Sequence, residues 1–419
     1  MAASFGEKLL LEVHEEGLDE LLHDLRALHP EDSVNRTRIG VAPIDQLLDV
    51  FRPAPQPLHN VSIEETDSRG DQADPALAAA EDEPIHPEIP VQQIFSSRPY
   101  PVLEISSTSS AAGKSQILHY LVAIAVLPAE FNGVSLGGLG SAAVFIDNDG
   151  RFDAERLRTV ARRIVHDKLQ EEARTLHDPI EAMLFECLQH VHVFRPQSSS
   201  ALLATLQSLD TYLLNLTRHV STHRPLQAIF IDSATAFFWQ DKLQDEIART
   251  EDIGRSAAEI EHERRQKKSF HLSDLYADLV ASLKQLQHIF DCAVVYTATS
   301  FHGRASQGPI MPYGSYNPLD FAVKGPAFRS PLPPPWGLFP TLRLVLQREV
   351  IRPFPPGITV PEAQRDAPMR QEVVMRGEFT ASVNTWGRED WPRSMLEELK
   401  RHGGGQFTFN ISARGVTFG

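Results

Sequence analysis

The run Thr108-Ser109-Ser110-Ala111-Ala112-Gly113-Lys114-Ser115 combines small side chains with one ammonium and one hydroxyl. Polyphosphate chemistry needs that combination. A tight turn of small residues brings backbone N–H groups close to phosphate oxygens, and a helix starting at the lysine adds the positive end of its dipole. Lys114 would neutralise the terminal phosphates, and the Ser115 hydroxyl would bind a magnesium ion. A cradle of this kind works only as a strand-turn-helix unit. The flanks supply one: Pro101-Val102-Leu103-Glu104-Ile105 reads as a strand and Ile117 to Leu127 as an apolar helix. The run is a P-loop whose first glycine is replaced by Thr108. That substitution is expected to weaken binding, because glycine at this point frees the backbone angles.

Two acids fall where a P-loop ATPase would use them. Asp232 ends the apolar strand Ala228-Ile229-Phe230-Ile231, the Walker-B arrangement that places a carboxylate near the magnesium. An ordinary strand-ending aspartate that opens a turn would give the same letters. Asp149 lies in the acidic turn Asp147-Asn148-Asp149-Gly150 after a second strand.

The positioning elements alternate. Short apolar runs at Ala142–Asp147, Val191–Phe194, Ala228–Asp232 and Ala293–Thr297 predict strands buried on both faces. Between them, Leu157/Val160/Ala161/Ile164/Val165, Leu202/Leu206/Leu209/Leu213/Leu216 and Leu272/Leu275/Tyr276/Leu279/Leu283 each mark one helix face. Such alternation implies a mainly parallel central sheet flanked by helices, an α/β fold. Further strands are expected at Thr341–Gln347, Glu372–Arg376, Gln406–Ile411 and Gly415–Phe418, the last of them antiparallel. Three regions follow: an N-terminal helical segment over 1–52, with a leucine stripe at 7–28; an acidic insert over 53–98, without aromatics and expected to be disordered; and a nucleotide-binding core over 99–419. Stretches near 240–270 and 301–338 interrupt the core as mobile segments, the first an exposed helix or mobile loop and the second a long loop that is either functional or disordered.

Several stretches resemble the RecA-like recombinase family, and within it the eukaryotic recombinase paralogues. They are Ile39-Gly40 with Ile44-Asp45-Gln46-Leu47-Leu48, the Asp147–Asp153 turn leading into Glu155-Arg156-Leu157, Ile231-Asp232-Ser233 with Ala236-Phe237-Phe238-Trp239, and the closing Phe407-Thr408-Phe409 and Gly415-Val416-Thr417-Phe418. The resemblance implies a RecA-like P-loop NTPase core that binds ATP and magnesium. It implies a nuclear role in homologous recombination at double-strand breaks. There the chain would be a mediator subunit assisting the recombinase on single-stranded DNA. It would act in a hetero-oligomer with other RecA-like paralogues, meeting single-stranded or branched DNA through the complex. Active members carry Glu at the position of Asp149, where it polarises the attacking water, and Asn-Gln where Ala298-Thr299 stands here. Both changes imply weak or absent hydrolysis. The family habit also implies a cis Asp232–Ser233 bond. An active DNA-dependent ATPase or recombinase stays open as the alternative, and a small-molecule P-loop kinase after it.

Composition narrows the rest. The chain of 419 residues carries a net charge of −15, of which the nine acids and one arginine between Glu64 and Glu88 supply −8. A charge of this sign argues against non-specific nucleic-acid binding by the chain alone. No apolar run reaches the roughly 18 residues of a membrane helix, and the N-terminus lacks a signal-peptide layout. Cys187 and Cys292 are expected as buried free thiols, and His190 and His192 as ordinary strand histidines. Local basic clusters at Arg264-Arg265-Gln266-Lys267-Lys268 and Arg162-Arg163 read as solvated faces or phosphate contacts. Phe237-Phe238-Trp239 could stack bases or pack a subunit, and three bulky apolar side chains together favour packing.

Overall fold

The computed structural model describes residues 38–51, 100–215, 217–266, 270–299, 326–349, 354 and 357–418. The leucine stripe at 7–28 and the acidic insert lie outside them. The described residues belong to one compact unit.

Helix α1 (Ala42–Phe51) precedes β1 (Val102–Ser107), the phosphate-loop candidate and α2 (Lys114–Val126). A small hairpin, β2 (Glu130–Phe131) and β3 (Val134–Ser135), leads to β4 (Ala142–Asp147), α3 (Ala154–Leu169), α4 (His177–Leu188), β5 (Val191–Phe194) and α5 (Ser199–Leu214). Then come β6 (Leu226–Asp232), α6 (Phe238–Glu251), α7 (Ala257–Arg265), α8 (Leu272–Phe290) and β7 (Ala293–Thr299). The chain closes with β8 (Leu342–Arg348), α9 (Val360–Arg376), β9 (Glu378–Val383), α10 (Arg393–Arg401), β10 (Gln406–Ser412) and β11 (Gly415–Phe418).

Nine strands make one sheet in the order β11-β10-β9-β8-β1-β7-β6-β4-β5. From β8 to β5 all neighbours are parallel, and β8, β9, β10 and β11 pair antiparallel. The strand period of two sends alternate side chains to opposite cores. Leu103, Ile105, Ala143, Phe145 and Phe230 join α1 to α4 and α10 on one face. Val102, Val144, Ile146, Ile229 and Tyr296 join α5 and α8 on the other. Helix α2 is apolar nearly all round because it lies between the sheet and α3, and Ile117, Leu118, Leu121, Val122 and Ala125 are buried. Asp153 caps α3 by accepting from Glu155 N and Arg156 N at 2.9 and 3.2 Å.

Two expectations change. Glu372–Arg376 is the last turn of α9, not a strand. Glu362 accepts from Thr359 N at 3.0 Å to start that helix, and Gly377 ends it in the left-handed region. The short run Val373-Val374-Met375 could not by itself choose between helix and strand. Strand β5 is an edge strand, so Val193 is exposed rather than buried on both faces. The stretch near 240–270 contains α6 and α7. Of the stretch near 301–338, residues 326–338 pack against the core through Leu332 and Trp336, with Trp336 edge-on to Tyr276 and Tyr296.

Both cysteines are buried, and neither forms a disulfide. His190 Nδ1 and His192 Nε2 lie 2.9 and 3.0 Å from Ser221 Oγ. Among the described residues no helix is long and apolar enough to cross a membrane.

Candidate nucleotide site

Strand β1 is buried along its whole length and stops at Ser107. Thr108, Ser109, Ser110 and Ala111 then stand exposed on the loop. The loop turns through two left-handed residues, Ala111 at φ 58° and Gly113 at φ 90°. Thr108 keeps an ordinary negative φ, so the missing first glycine leaves no strain where it was expected. The cost of a left-handed side chain falls on Ala111 instead, about 1–2 kcal/mol. Gly113 is required twice over: a Cβ there would sit 2.5 Å from Ile411 Cδ1 on β10. The C-terminal hairpin therefore backs the loop.

Lys114 opens α2. Its Nζ donates to Ser107 Oγ at 2.6 Å, and Ser107 Oγ donates onward to Ser109 O at 2.7 Å. Burial lowers the lysine pKa, and the nearby charges of Asp232 and Asp149 oppose the shift. One electrostatic neighbourhood thus holds three residues from separate parts of the chain. The sheet order explains why: β7 lies between β1 and β6, and β4 lies beyond β6, all parallel and ending on one side.

Asp232 is buried, and Thr297 Oγ1 donates to its Oδ1 at 2.7 Å. The same hydroxyl accepts from Ser233 N at 2.6 Å, so the end of β7 clamps the end of β6. The expected cis Asp232–Ser233 bond does not occur. The chain turns through Ser233 at φ 63°, and among the described residues the cis bond is Pro334–Pro335. A left-handed serine fixed by Thr297 redirects the backbone without a cis amide.

Asp149 sits at the tip of its turn with its side chain one-third exposed, 3.7 Å from Arg151 Nε. Burial raises its pKa, with the charges of Asp232 and Asp147 adding to the effect and Arg151 opposing it. Asp147 builds that turn. Its carboxylate accepts from Arg151 N at 2.9 Å, from Phe152 N at 3.0 Å and from Arg195 Nε at 3.1 Å. Ser107, Asp147, Arg195 and Thr297 escaped the sequence reading. For Asp147 a signal existed, since a strand-ending acid two residues before another must do something different from its neighbour. Ser107 meets Lys114 across the loop itself, whereas the contacts of Arg195 and Thr297 are purely tertiary.

The donor set fits a magnesium–polyphosphate group: one ammonium, the Ser115 hydroxyl, the Asp232 carboxylate and the first N–H groups of α2, with the Gly113 backbone kept free of a side chain. Such a group would supply charge neutralisation between Lys114 and the carboxylates. The basic clusters are largely spent inside the protein. Arg264 pairs with Asp274, Arg265 with Glu261, Arg162 with Glu181 and Arg163 with Asp167. Lys267 and Lys268 lie outside the described residues. Of the aromatic triplet, Phe237 and Phe238 are half-buried and Trp239 is exposed, with the Phe238 and Trp239 rings edge to face at 5.2 Å.

No family model matches the chain. It is 25% identical over 281 residues to the DNA repair protein XRCC2 homolog of Arabidopsis thaliana, covering 59% of this chain and 68% of that protein. It is 31% identical over 173 residues to mouse DNA repair protein XRCC2, covering 41% and 49%. It is 29% identical over 172 residues to the DNA repair and recombination protein RadA of Haloquadratum walsbyi, covering 39% and 44%. The chain thus spans about two thirds of the plant relative and less than half of the mouse and archaeal ones. With the parallel sheet, the antiparallel C-terminal strands and the loop between β1 and α2, these matches give the chain a RecA-like core similar to that of the XRCC2 and RadA proteins.

Proposed function

We propose that this chain acts in DNA repair by homologous recombination. It is a subunit of a nuclear hetero-oligomer of RecA-like paralogues that helps a recombinase assemble on single-stranded DNA at double-strand breaks. In this reading, residues 1–52 and the acidic 53–98 insert are appendages to the 99–419 core. The core binds ATP with magnesium through the Thr108–Ser115 loop, Ser115 and Asp232. Hydrolysis is weak or absent.

One observation carries the reading. Lys114, Asp232 and Asp149 share one electrostatic neighbourhood, yet the third is an aspartate held 3.7 Å from Arg151. A carboxylate one methylene short of a glutamate misses a water by about 1 Å, and an error of that size costs on the order of 10²-fold in rate. The chain keeps the groups that hold a nucleotide and lacks the reach that spends it.

The test is ATP turnover with and without single-stranded DNA, beside Lys114→Ala and Asp149→Glu. Wild type is expected to bind a fluorescent ATP analogue with magnesium and turn over little. Lys114→Ala should lose binding, and Asp149→Glu should gain turnover. Wild-type turnover matching an active recombinase would instead establish the DNA-dependent ATPase.

A further inference from the structure

Helix α6 is built inside out. Asp241 and Asp245, one turn apart, are 4% and 5% exposed. Leu243 and Ile247 are 62% and 51% exposed, and Ile253 just past the helix is 78% exposed. At about 100° per residue, positions 239, 243 and 247 fall in one sector, and the two aspartates lie opposite. Trp239, 57% exposed, opens the same outward face.

The polar side holds the helix in this orientation. Asp241 Oδ2 accepts from Ser199 Oγ at 2.6 Å and from Tyr276 OH at 3.3 Å. Asp245 Oδ1 accepts from Leu272 N at 3.0 Å, and Asp245 Oδ2 pairs with Arg249 at 2.8 Å. Rolling α6 over to bury its leucine and isoleucines would strand two carboxylates and release the N-terminal ends of α5 and α8. The apolar face is therefore fixed outward by the fold rather than by a loose end.

We propose that this face docks an amphipathic helix of another protein, whose apolar stripe is flanked by lysine or arginine. The charges around the face select that occupant. Glu246 and Glu251 are exposed beside it, Arg249 is committed to Asp245, and Lys242 lies over the Trp239 ring at 5.4 Å from its centroid. A second copy would bring the same acids on a chain of net charge −15. The leucine stripe of residues 7–28 comes with seven acids and two bases, again the wrong sign. DNA phosphates would meet the same acids. A basic-flanked helix buries the stripe and neutralises its rim at once. The inference deepens the partner part of the proposed function and leaves the nucleotide site untouched.

Fluorescence anisotropy of the full chain with two labelled helical peptides tests it. Both peptides carry the same leucine stripe, one flanked by lysines and the other by glutamates. The lysine peptide should bind at least about tenfold tighter, and Leu243→Ser or Ile247→Ser should each weaken it by about tenfold. Glu246→Lys, which leaves the apolar face intact, should shrink the preference between peptides. In all variants ATP-analogue affinity should stay within about twofold, which separates this surface from the nucleotide reading. Equal binding of the two peptides would overturn the proposal. So would indifference to the serine variants, loss of single-stranded oligonucleotide binding in them, or their conversion of a dimer to a monomer in sedimentation.

Discussion

Substituting Gly113 by alanine probes how the phosphate loop is supported. The residue has φ 90°, and a new Cβ would lie 2.5 Å from Ile411 Cδ1, with Phe379 ring carbons at 3.5 Å. The backbone part costs about 1–2 kcal/mol, because an L side chain resists the left-handed region. The steric part adds about 1–3 kcal/mol, since carbon atoms rest near 3.5–4.0 Å and Ile411 must move by about 1 Å. The stiffer unfolded chain returns about 0.4–1 kcal/mol. The sum is a loss of about 2–4 kcal/mol. At about 2.1 cal/mol/K per residue over roughly 300 residues, the melting temperature falls by about 3–6 °C. Ile411→Val removes the offending carbon at a cost of its own of about 0.5–1.5 kcal/mol. The double variant should then be about 1–2 kcal/mol more stable than the two single losses added together. Urea denaturation of the four proteins, followed by circular dichroism, measures the cycle. Additivity within about 0.5 kcal/mol would refute the claim that the C-terminal hairpin presses on the loop.

Two further outcomes follow from buried carboxylates. Glu104 on β1 is buried, and its Oε2 accepts from Tyr296 OH at 2.9 Å while its Oε1 has no hydrogen-bond partner. Burial raises its pKa above the ordinary value near 4.5, against the opposing charge of Arg343 and hydrogen bonds from Tyr296 and Ser330. The folded state therefore keeps this proton to higher pH than the unfolded state, and stability is lost as pH rises from the ordinary value through the folded one. Glu104→Gln should remove that slope and be the more stable protein in mildly alkaline buffer, read as urea midpoints across a pH series; a variant with the wild-type slope would contradict the assignment. Asp147→Asn should weaken the turn that carries Asp149 and cost about 1.5–3 kcal/mol, because a carboxylate accepting two backbone N–H groups and Arg195 becomes a neutral amide. A thermal melt checks the stability loss, and a fall in ATP-analogue affinity checks the link to the site.

The loop and its lysine were legible because their structure is local. A strand, a turn of small residues and a helix are contiguous, and 3.6 and 2.0 periodicities announce the flanks. For the same reason the parallel strands at 142–147, 228–232 and 293–297 could be located within a residue or two. Local pattern failed where two structures share it. Val373-Val374-Met375 closes a helix whose capping box lies more than a turn upstream. The letters around Ser233 could not say whether the turn would use a cis bond or a left-handed residue, since Thr297, 64 positions away, decides it.

The sequence by itself determined the kinds of groups available for a polyphosphate and the α/β class, both of which rest on residue type or short-range spacing; that the acid at 149 is a shortened one comes from the resemblance to active recombinases. The tertiary structure decided which of those groups meet. Insertion of β7 between β1 and β6 gathers Lys114, Asp232 and Asp149, the hairpin carrying Ile411 closes the space behind Gly113, and α6 turns its leucine outward because its aspartates find Ser199, Tyr276 and Leu272 within. Such pairings join residues tens to hundreds of positions apart, and only the packed sheet and its two cores bring them into contact.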